Sequence, residues 1–260
     1  MNDLKIVIGI CMIGICMNSY AESNDVPSHS KKVEWSYGTE NGPDVWGQLS
    51  PEYVLCAEGT RQSPIDLVNP TSVKLPAILF NYQPTDLNIR NNGHTIEVAS
   101  TKENWIELDG TKHELLQFHF HAPSEHTIAG KSFAMEMHLV HKSKDGTLAV
   151  IGVLIERGSN HVAFDSLLAH LPNTPGEVQR IEHITINADD LLPSARNTYR
   201  YDGSLTTPPC SEGVKWLVLT TPIELSEVQI ATFTAIVHNN NRPVQPLNGR
   251  KLLVDVAEDD

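Results

Sequence analysis

The segment that most constrains the fold is Gln117-Phe-His-Phe-His121, in which polar and aromatic residues alternate. Alternation with a period of two is typical of a β-strand, where every second side chain lies on the same face. His119 and His121 therefore point to one side of a sheet. The nearby segment Glu136-Met-His138 repeats the alternation and can return as the adjacent antiparallel strand. The chain is thus predicted to fold around a sheet on which three imidazoles meet.

These three histidines predict a catalytic metal site. Three imidazole ligands with an open fourth position are the layout of a catalytic zinc centre, whereas structural zinc sites are closed by four protein ligands. The predicted ligands are His119, His121 and His138, and zinc is the favoured metal. Co²⁺ fits the same geometry and remains an alternative.

Two polar neighbours are in phase with the histidines. Gln117 shares a face with His119, and Glu136 shares a face with His138. Metal-bound imidazoles usually donate their second N–H to an outer partner, which fixes the tautomer and aims the ring. We therefore expect Gln117 and Glu136 to orient the ligands. The alternative for Glu136 is an exposed charge on a strand.

Short strands bounded by turn residues recur along the chain. Asn92-Gly93 and Asp145-Gly146 are strong hairpin signals. The strand-like patterns cover residues 87–91, 94–99, 105–108, 115–122, 134–141, 149–156, 214–220 and 252–256. One large mixed, mostly antiparallel sheet is the expected architecture.

Helical patterns are few and short. Residues 164–171 form one candidate, which Pro172 ends, and residues 226–237 form another with Ser226 as the N-cap. Residues 41–84 are rich in Gly, Pro and Asn and predict long surface loops. The fold class is therefore mixed but mainly β, as a single domain with a few short peripheral helices.

The N-terminus predicts export from the cytoplasm. Lys5 precedes an apolar stretch at residues 6–17, which ends in Ser19-Tyr-Ala21. A charged start, a short apolar stretch and a small-x-Ala end are typical of a secretory signal peptide. An uncleaved anchor is the alternative, and the expected location is periplasmic or secreted. The predicted segments are a signal peptide at 1–21, a disordered segment at 22–34 and one domain at 35–260.

Charge and cysteine content narrow the possible partners. The formal net charge of −13 disfavours nucleic acid and anionic membrane surfaces. Two of the four cysteines, Cys11 and Cys16, lie in the predicted signal peptide. Cys56 and Cys210 remain as an even pair in a chain sent to an oxidising compartment, so we predict a disulfide between them. Two buried free thiols are the alternative.

Several longer motifs are spread over nearly all of the chain beyond residue 35. They are Trp35-Ser-Tyr-Gly38, Arg61-Gln-Ser-Pro-Ile-Asp66, Asn92-Gly-His94, Gln117-Phe-His-Phe-His-Ala-Pro-Ser-Glu-His126, Glu136-Met-His138, Ser204-Leu-Thr-Thr-Pro-Pro-Cys210 and Arg242-Pro-Val-Gln-Pro-Leu247. In this order they resemble the α-class carbonic anhydrases of the exported bacterial type. The resemblance implies a twisted sheet of about ten strands, a conical cavity with zinc at its base, and reversible hydration of CO2 to bicarbonate and a proton.

The resemblance also implies how individual residues act. A zinc-bound hydroxide attacks CO2, while Thr206 accepts a hydrogen bond from it and donates one to Glu125. Thr207 contacts bicarbonate or ordered water. Because CO2 is apolar, its pocket should be hydrophobic, and Val140 is also in phase with His138. The implied lining residues are Val140, Val150, Leu205, Val214 and Trp216.

Further roles follow from the same resemblance. His94 is implied as the proton shuttle, since an imidazole can accept and release protons near neutral pH. Tyr37 is implied to order water in the cavity, and Asn240 to offer its backbone carbonyl to His121. The Cys56–Cys210 pair matches a disulfide of exported members. Anions and sulfonamide-type inhibitors are expected at the metal, and the chain is expected to be a monomer or homodimer.

Glu97 departs from the family pattern, because many members carry a neutral amide there. An acidic group on the cavity wall is expected to slow release of anionic product or to weaken anionic inhibitors. Other histidines, including His126, His141 and His183, are expected to be structural or exposed.

Two rival functions compete with CO2 hydration. One is a binding module that has lost catalysis, which is expected to lack a zinc ligand. The other is an esterase acting on small activated esters, a reaction that the same zinc-bound hydroxide could carry out. We expect ester hydrolysis only as a side activity.

Overall fold

Short strands are the main regular elements of residues 33–255, the part of the chain that the computed structural model describes. The strands are β1 (Thr71–Val73), β2 (Leu79–Asn81), β3 (Thr85–Asn91), β4 (Ile96–Ala99), β5 (Trp105–Leu108), β6 (Thr111–His121), β7 (Thr127–Ile128), β8 (Lys131–Ser132), β9 (Met135–Ser143), β10 (Leu148–Arg157), β11 (Val178–Ile186), β12 (Thr198–Ser204), β13 (Glu212–Leu219), β14 (Ile223–Leu225) and β15 (Leu253–Asp255). The α-helices are α1 (Trp46–Leu49), α2 (Leu55–Glu58), α3 (Asp165–Leu168) and α4 (Glu227–Thr234), and 3-10 turns lie at Pro51–Tyr53, Val162–Phe164 and Ala188–Leu191.

Thirteen of these strands form one sheet within residues 33–255. Its main path runs β1-β15-β12-β13-β10-β9-β6-β4-β3-β11, with β14 paired to β10 and with β5 joining β2 to β6. Strand β1 runs parallel to β15, and β10 runs parallel to β13 and β14, while the other pairs in this sheet are antiparallel. The expected large, mostly antiparallel sheet is confirmed. Strands β7 and β8 form a separate small hairpin.

The segments predicted as strands are strands in the structure, with ends that differ by no more than four residues. The Asn92-Gly93 turn joins β3 to β4, and Gly93 adopts a φ of 88° that favours glycine. The predicted helix at 226–237 is α4. Ser226 caps it, because its side chain accepts from the N–H of Gln229 while the Gln229 side chain accepts from the Ser226 N–H.

The prediction of long surface loops over residues 41–84 is only partly correct, because several short elements interrupt the irregular backbone there. This region contains α1, α2, β1 and β2, and it buries Trp46 and Ile65 completely. Elements of three or four residues are too short to show a period, so tertiary packing rather than local pattern defines them. The predicted helix at 164–171 is shorter than expected, because α3 ends at Leu168.

The sheet separates the core from the side that carries the histidines. On β9, Met135, Met137 and Leu139 pack into the main core, whereas Glu136 and His138 face the opposite side. Strand β6 contains a bulge between Leu115 and Gln117, where the register with β9 shifts. Leu115 therefore packs in the core although it would otherwise share the face of Gln117 and His119. The bulge reorients β6 immediately before its metal-site residues.

The predicted signal peptide and most of the predicted disordered segment lie outside the described residues. Val33 and Glu34, the last two residues of that segment, are described, and the Tyr53 hydroxyl donates to the Val33 carbonyl at 3.3 Å. Among residues 33–255, no helix has both the length and the apolarity to cross a membrane.

Candidate metal centre

Strands β6 and β9 bring the three predicted ligands together. His119 lies opposite His138 in the antiparallel register, and His121 follows two residues later on β6. The ring centroids are 5.1 Å apart for His119 and His121, 5.3 Å for His119 and His138, and 4.6 Å for His121 and His138. One nitrogen of each ring lies within 4.8 Å of the other two. The three imidazoles therefore converge on one side of the sheet.

Each imidazole has one ring nitrogen hydrogen-bonded to an acceptor outside the cluster. The pairs are His119 Nδ1 with Gln117 Oε1 at 2.8 Å, His121 Nδ1 with the backbone carbonyl of Asn240 at 2.6 Å, and His138 Nε2 with Glu136 Oε1 at 2.9 Å. These acceptors hold a proton on the outer nitrogen and leave the other nitrogen with a lone pair. Two of the three acceptors are side chains that the strand alternation singled out.

The arrangement fits a divalent metal ion. Nε2 of His121 is buried and has no hydrogen-bond partner among the described residues, and a buried polar atom of this kind is costly without a ligand. Half-buried His119 is the most accessible of the three, since His121 and His138 are each 1% exposed. Three neutral nitrogens suit zinc in particular. The residues present can therefore hold the metal and leave a direction open toward solvent.

Burial keeps these imidazoles uncharged. It lowers the pKa of His119 well below its usual value, and the neighbouring His121 and His138 lower it further. Burial lowers the pKa of His121 to about 4, although the Asn240 carbonyl acts in the opposite direction. Burial also lowers the pKa of His138, against the raising effect of Glu136. Neutral imidazole is the form that binds a metal, so the site does not need to lose protons first.

Glu136 is a buried carboxylate with a complete set of donors. Burial alone raises its pKa, but His126 and His138 outweigh this effect and hold the pKa well below its usual range. Oε1 is hydrogen-bonded to His138 and to His126 Nδ1, the latter at 2.7 Å. Oε2 accepts from the backbone N–H groups of Glu125 and His126 at 2.9 and 2.8 Å. The alternative of an exposed strand charge is therefore wrong.

Glu125 lies beside the ligands on the segment after β6. Its Oε1 accepts from the backbone N–H of Arg242 at 2.9 Å and lies 3.5 Å from Nδ1 of His121. Burial raises the pKa of Glu125 to about 7, while His138, the Arg242 N–H and the Thr206 hydroxyl act to lower it. Thr206 is 5% exposed and interacts with this carboxylate. The two residues thus lie together next to the metal centre.

An apolar cluster flanks the histidines on the same side of the sheet. The ring centroid of Trp216 lies 4.8 Å from that of His138. The cluster includes every residue proposed for the CO2 pocket, namely Val140, Val150, Leu205, Val214 and Trp216. A hydrophobic wall therefore adjoins the metal centre.

A small cavity lies next to the turn between β3 and β4. It has a volume of about 250 Å³, and Tyr37, His94 and Asn240 are among the residues that line it. The His94 ring stacks on Trp35, with centroids 3.7 Å apart and planes 7° from parallel. Burial raises the pKa of Tyr37 well above its usual value, and the negative charge of Glu125 acts in the same direction.

Asn240 connects the wall of this cavity to β6, the strand that carries His119 and His121, through hydrogen bonds. Its backbone carbonyl accepts from His121, and its side-chain Oδ1 accepts from the backbone N–H of Ala122 at 2.8 Å. Its Nδ2 donates to the carbonyls of His94 at 3.1 Å and Phe120 at 2.9 Å. One buried amide therefore joins the His94 turn, strand β6 and the segment after α4.

Comparison with known proteins agrees with this geometry. The family model for eukaryotic-type carbonic anhydrase, which is the α class, matches residues 41–256. The chain belongs to the α-carbonic anhydrase family. Reversible hydration of CO2 is the general reaction of this family of enzymes.

Similar proteins cover nearly the whole chain. A carbonic anhydrase of Nostoc sp. is 42% identical over 254 residues, which span 95% of this chain and 94% of that protein. A hyperthermostable carbonic anhydrase from an active hydrothermal vent chimney is 47% identical with a TM-score of 0.83, covering 86% of this chain and all of that one. The α-carbonic anhydrase of Thermovibrio ammonificans in complex with sulfanilamide is 42% identical with a TM-score of 0.82, over 86% of this chain and all of that one.

The two cysteines of the α-carbonic anhydrase domain form the predicted disulfide. Cys56 on α2 is bonded to Cys210, 154 residues later, so the alternative of two free thiols is wrong. The backbone N–H of Cys210 donates to the carbonyl of half-buried Thr207 at 2.9 Å. The disulfide therefore anchors the loop that carries Thr206 and Thr207.

Glu97, the departure from the family pattern, does not stand alone. Its Oε1 lies 2.7 Å from Nη2 of Arg90, and the side chain of Glu97 is 11% exposed. Arg90, Glu97 and His119 lie opposite one another across β3, β4 and β6. The acidic group near the metal centre is therefore neutralised by an arginine that the sequence did not single out.

The sequence also did not indicate a series of buried hydrogen bonds behind the three histidines. His126 connects Glu136 to the Tyr201 hydroxyl, which lies 2.7 Å from His126 Nε2 and 2.9 Å from Ser63 Oγ. His126, Glu136 and His138 form a second group of possible metal ligands, but His126 and Glu136 are hydrogen-bonded to each other. No spacing could reveal Tyr201, because it lies 75 residues from His126.

Proposed function

We propose that the chain is an exported zinc enzyme that catalyses the reversible hydration of CO2 to bicarbonate and a proton. The observation that carries this proposal is the convergence of His119, His121 and His138, each with its second nitrogen bound to an outer acceptor. A zinc ion held by these residues supplies Lewis-acid activation of water, which makes it a nucleophile near neutral pH.

The surrounding residues orient the reactants. In this proposal the Thr206 hydroxyl, which lies beside Glu125, donates to the buried Oε2 of that carboxylate, an atom with no other hydrogen-bond partner among the described residues. The Thr206 oxygen can then accept a hydrogen bond from the attacking water. This fixes one O–H of the water and directs a lone pair at the substrate. Beside it, the apolar cluster around Val140 and Trp216 binds CO2, which carries no charge. Thr207 on the same loop binds the polar product.

Protons leave through the cavity at the β3–β4 turn. His94 lines this cavity and accepts the proton that hydration releases. Tyr37 keeps its own proton, because burial raises the pKa of its hydroxyl, and it orders water on the path. Asn240 holds the His94 turn at a fixed position relative to His121.

The proposal extends to the cellular location of the enzyme and to its inhibitors. The Cys56–Cys210 disulfide supports an oxidising location, periplasmic or secreted, reached through the predicted signal peptide at residues 1–21. We expect primary sulfonamides to bind at the three histidines, since the Thermovibrio relative was solved with sulfanilamide. Hydrolysis of small activated esters is expected as a side activity of the same centre.

Metal analysis combined with stopped-flow CO2 hydration tests the function. We expect about one zinc per chain, loss of activity on chelation and recovery with added zinc. His119→Ala should remove most of the bound zinc, while His183→Asn, at an exposed histidine with a φ of 70°, should retain it. Full hydration activity in the zinc-free protein would refute the proposal. Ester hydrolysis without CO2 hydration would instead favour the esterase.

A further inference from the structure

The cavity that contains His94 has a second histidine in its wall. His238 follows α4, and its side chain is exposed to solvent. We propose that His238 is an outer proton-relay residue, which takes the proton from His94 and passes it to bases in solution. This role rests on the proposed function, because the proton is the one that CO2 hydration releases.

The chemistry of the cavity wall limits which groups can carry a proton. Among the described residues that line it there is no Asp, Glu, Lys or Arg. The Tyr37 hydroxyl stays protonated, since burial raises its pKa well above the usual value. Imidazole is the side chain whose ordinary pKa lies near neutrality. Of these lining side chains, His94 and His238 are therefore the two that present an imidazole ring to the cavity.

His238 is held in a defined place relative to His94. Val237 on one side is 8% exposed and packs in the main core. Asn240 on the other side is 2% exposed and donates to the backbone carbonyl of His94 at 3.1 Å. Because Val237 and Asn240 are both anchored, the backbone at His238 is held beside the cavity that its side chain lines.

The proton transfer from His94 to His238 needs no reactant other than a base in solution. In the hydration direction, the imidazolium of His94 gives up its N–H proton and the neutral imidazole of His238 gains one. A water bridge can carry it, since about 250 Å³ exceeds the roughly 30 Å³ that one water occupies. His238 then releases the proton to a buffer base. Dehydration runs the same steps in reverse.

The test is the kinetics of His238→Gln, which keeps a polar side chain of similar size but cannot be protonated. At low buffer concentration we expect kcat to fall on the order of threefold, well short of the hundredfold or more typical of a primary general base. The ratio kcat/KM should stay unchanged, because it reports CO2 conversion rather than the later removal of the proton. Added imidazole should restore kcat. His183→Asn, an exposed histidine outside the cavity, serves as the matched control.

The same substitution in a His94→Ala background makes the test specific. A relay that acts through His94 has no further effect once His94 is absent, so the double variant should match His94→Ala. An unchanged kcat in His238→Gln, or an equal loss in both backgrounds, would overturn the role. Thermal melts of His238→Gln and of a second variant, His238→Ala, check that folding is intact. These outcomes differ from failure of the proposed function, in which the parent protein itself shows no zinc-dependent hydration.

Discussion

The backbone N–H of Arg242 donates to Oε1 of Glu125 at 2.9 Å. The guanidinium of the same residue donates at 2.8 Å to Gln62 Oε1 and to the backbone carbonyls of Ser63 and Cys56. Arg242 is only 1% exposed. A single buried arginine therefore links the carboxylate beside the metal centre to the helix that carries one half of the disulfide.

Arg242→Lys should lower the free energy of unfolding by about 3 kcal/mol, because hydrogen bonds to charged groups contribute ~1.5–3 kcal/mol each and lysine cannot reproduce the planar fork. Urea unfolding measures this change. Arg61→Lys is the matched control, since its pair with Asp202 has side chains that are 47% and 58% exposed. Such a pair contributes ~1 kcal/mol or less. Equal losses in the two variants would contradict the assigned importance of Arg242.

Removal of the disulfide should destabilise the fold while leaving the metal ligands in place. Replacing Cys56 and Cys210 together by Ser should cost about 2–5 kcal/mol, since the bridge constrains a long loop in the unfolded chain. Thermal melting in the presence and absence of a reductant measures the effect, and zinc stoichiometry should not change because neither cysteine is a ligand. If neither the substitutions nor the reductant changed the melting temperature, the disulfide would contribute nothing to stability.

Much of the metal centre could be predicted because its geometry is local. The alternation over Gln117, His119 and His121 fixes one face of β6, and the same argument places Glu136 and His138 on one face of β9. Only the pairing of the two strands had to be assumed. The Asp145-Gly146 turn and the antiparallel register of β9 with β10 were predictable for the same reason.

The parts that could not be predicted depend on long-range contacts. The bulge at Leu115–Gln117 could not be predicted from the sequence, because it depends on how β6 pairs with β9 rather than on a local residue preference. Arg242 and Cys56 are 186 residues apart, and no periodicity connects them. The short helices around Trp46 form because they cover that buried ring, so a composition rich in Gly and Pro misleads there.

Glu136→Gln should weaken zinc binding by about 10–100-fold, the usual effect of removing an outer partner of a metal-bound histidine. In the parent protein both carboxylate oxygens of Glu136 accept hydrogen bonds from His138, His126 and the backbone. In the variant an amide NH2, which can only donate, replaces one of these acceptors. Competition with a chelator measures the affinity. Glu114→Gln is the control, because Glu114 on β6 is exposed and its carboxylate lies 3.8 Å from the Lys112 ammonium, away from the ligands. Unchanged zinc affinity in Glu136→Gln would contradict its role in orienting His138.

The buried His141 should make the fold sensitive to acid. Burial lowers its pKa to about 3, although the carbonyls of Ala149 and Leu139 act in the opposite direction. As pH falls below the ordinary value of about 6.5, the unfolded chain gains a proton here that the folded chain does not, so stability decreases by ~1.4 kcal/mol per pH unit down to the folded pKa. His141→Gln keeps a partner for the Tyr82 hydroxyl, now 2.7 Å from His141 Nε2, and should flatten this slope.

Denaturant unfolding between pH 7 and pH 4.5 measures the His141 contribution as the difference between parent and variant. His183→Asn, at an exposed position, should retain the parental slope. Parallel pH dependence in parent and His141→Gln would show that other groups cause the loss.

The Arg90–Glu97 pair should control how strongly anions bind at the metal centre. Arg90→Met leaves the Glu97 carboxylate without its cation, one strand away from His119. Thiocyanate inhibition should weaken by about threefold to tenfold, with tenfold corresponding to 1.4 kcal/mol, and the effect should shrink as salt screens the charge. Glu97→Gln should change inhibition little, because the carboxylate that it removes is already neutralised and the Arg90 side chain is 51% exposed, where solvent screens its charge. The double variant should return close to the parent, because it removes both charges.

The control for this pair is Arg157→Met, which breaks an ion pair with Glu227 whose side chains are 62% and 71% exposed. Inhibition by thiocyanate should not change there. If Arg90→Met weakens inhibition equally in the presence of Glu97 and of Gln at position 97, then Arg90 attracts anions by its own charge and not by neutralising Glu97. Double-variant coupling near zero is therefore the result that separates the two explanations, and a clear coupling assigns the neutralisation to the pair.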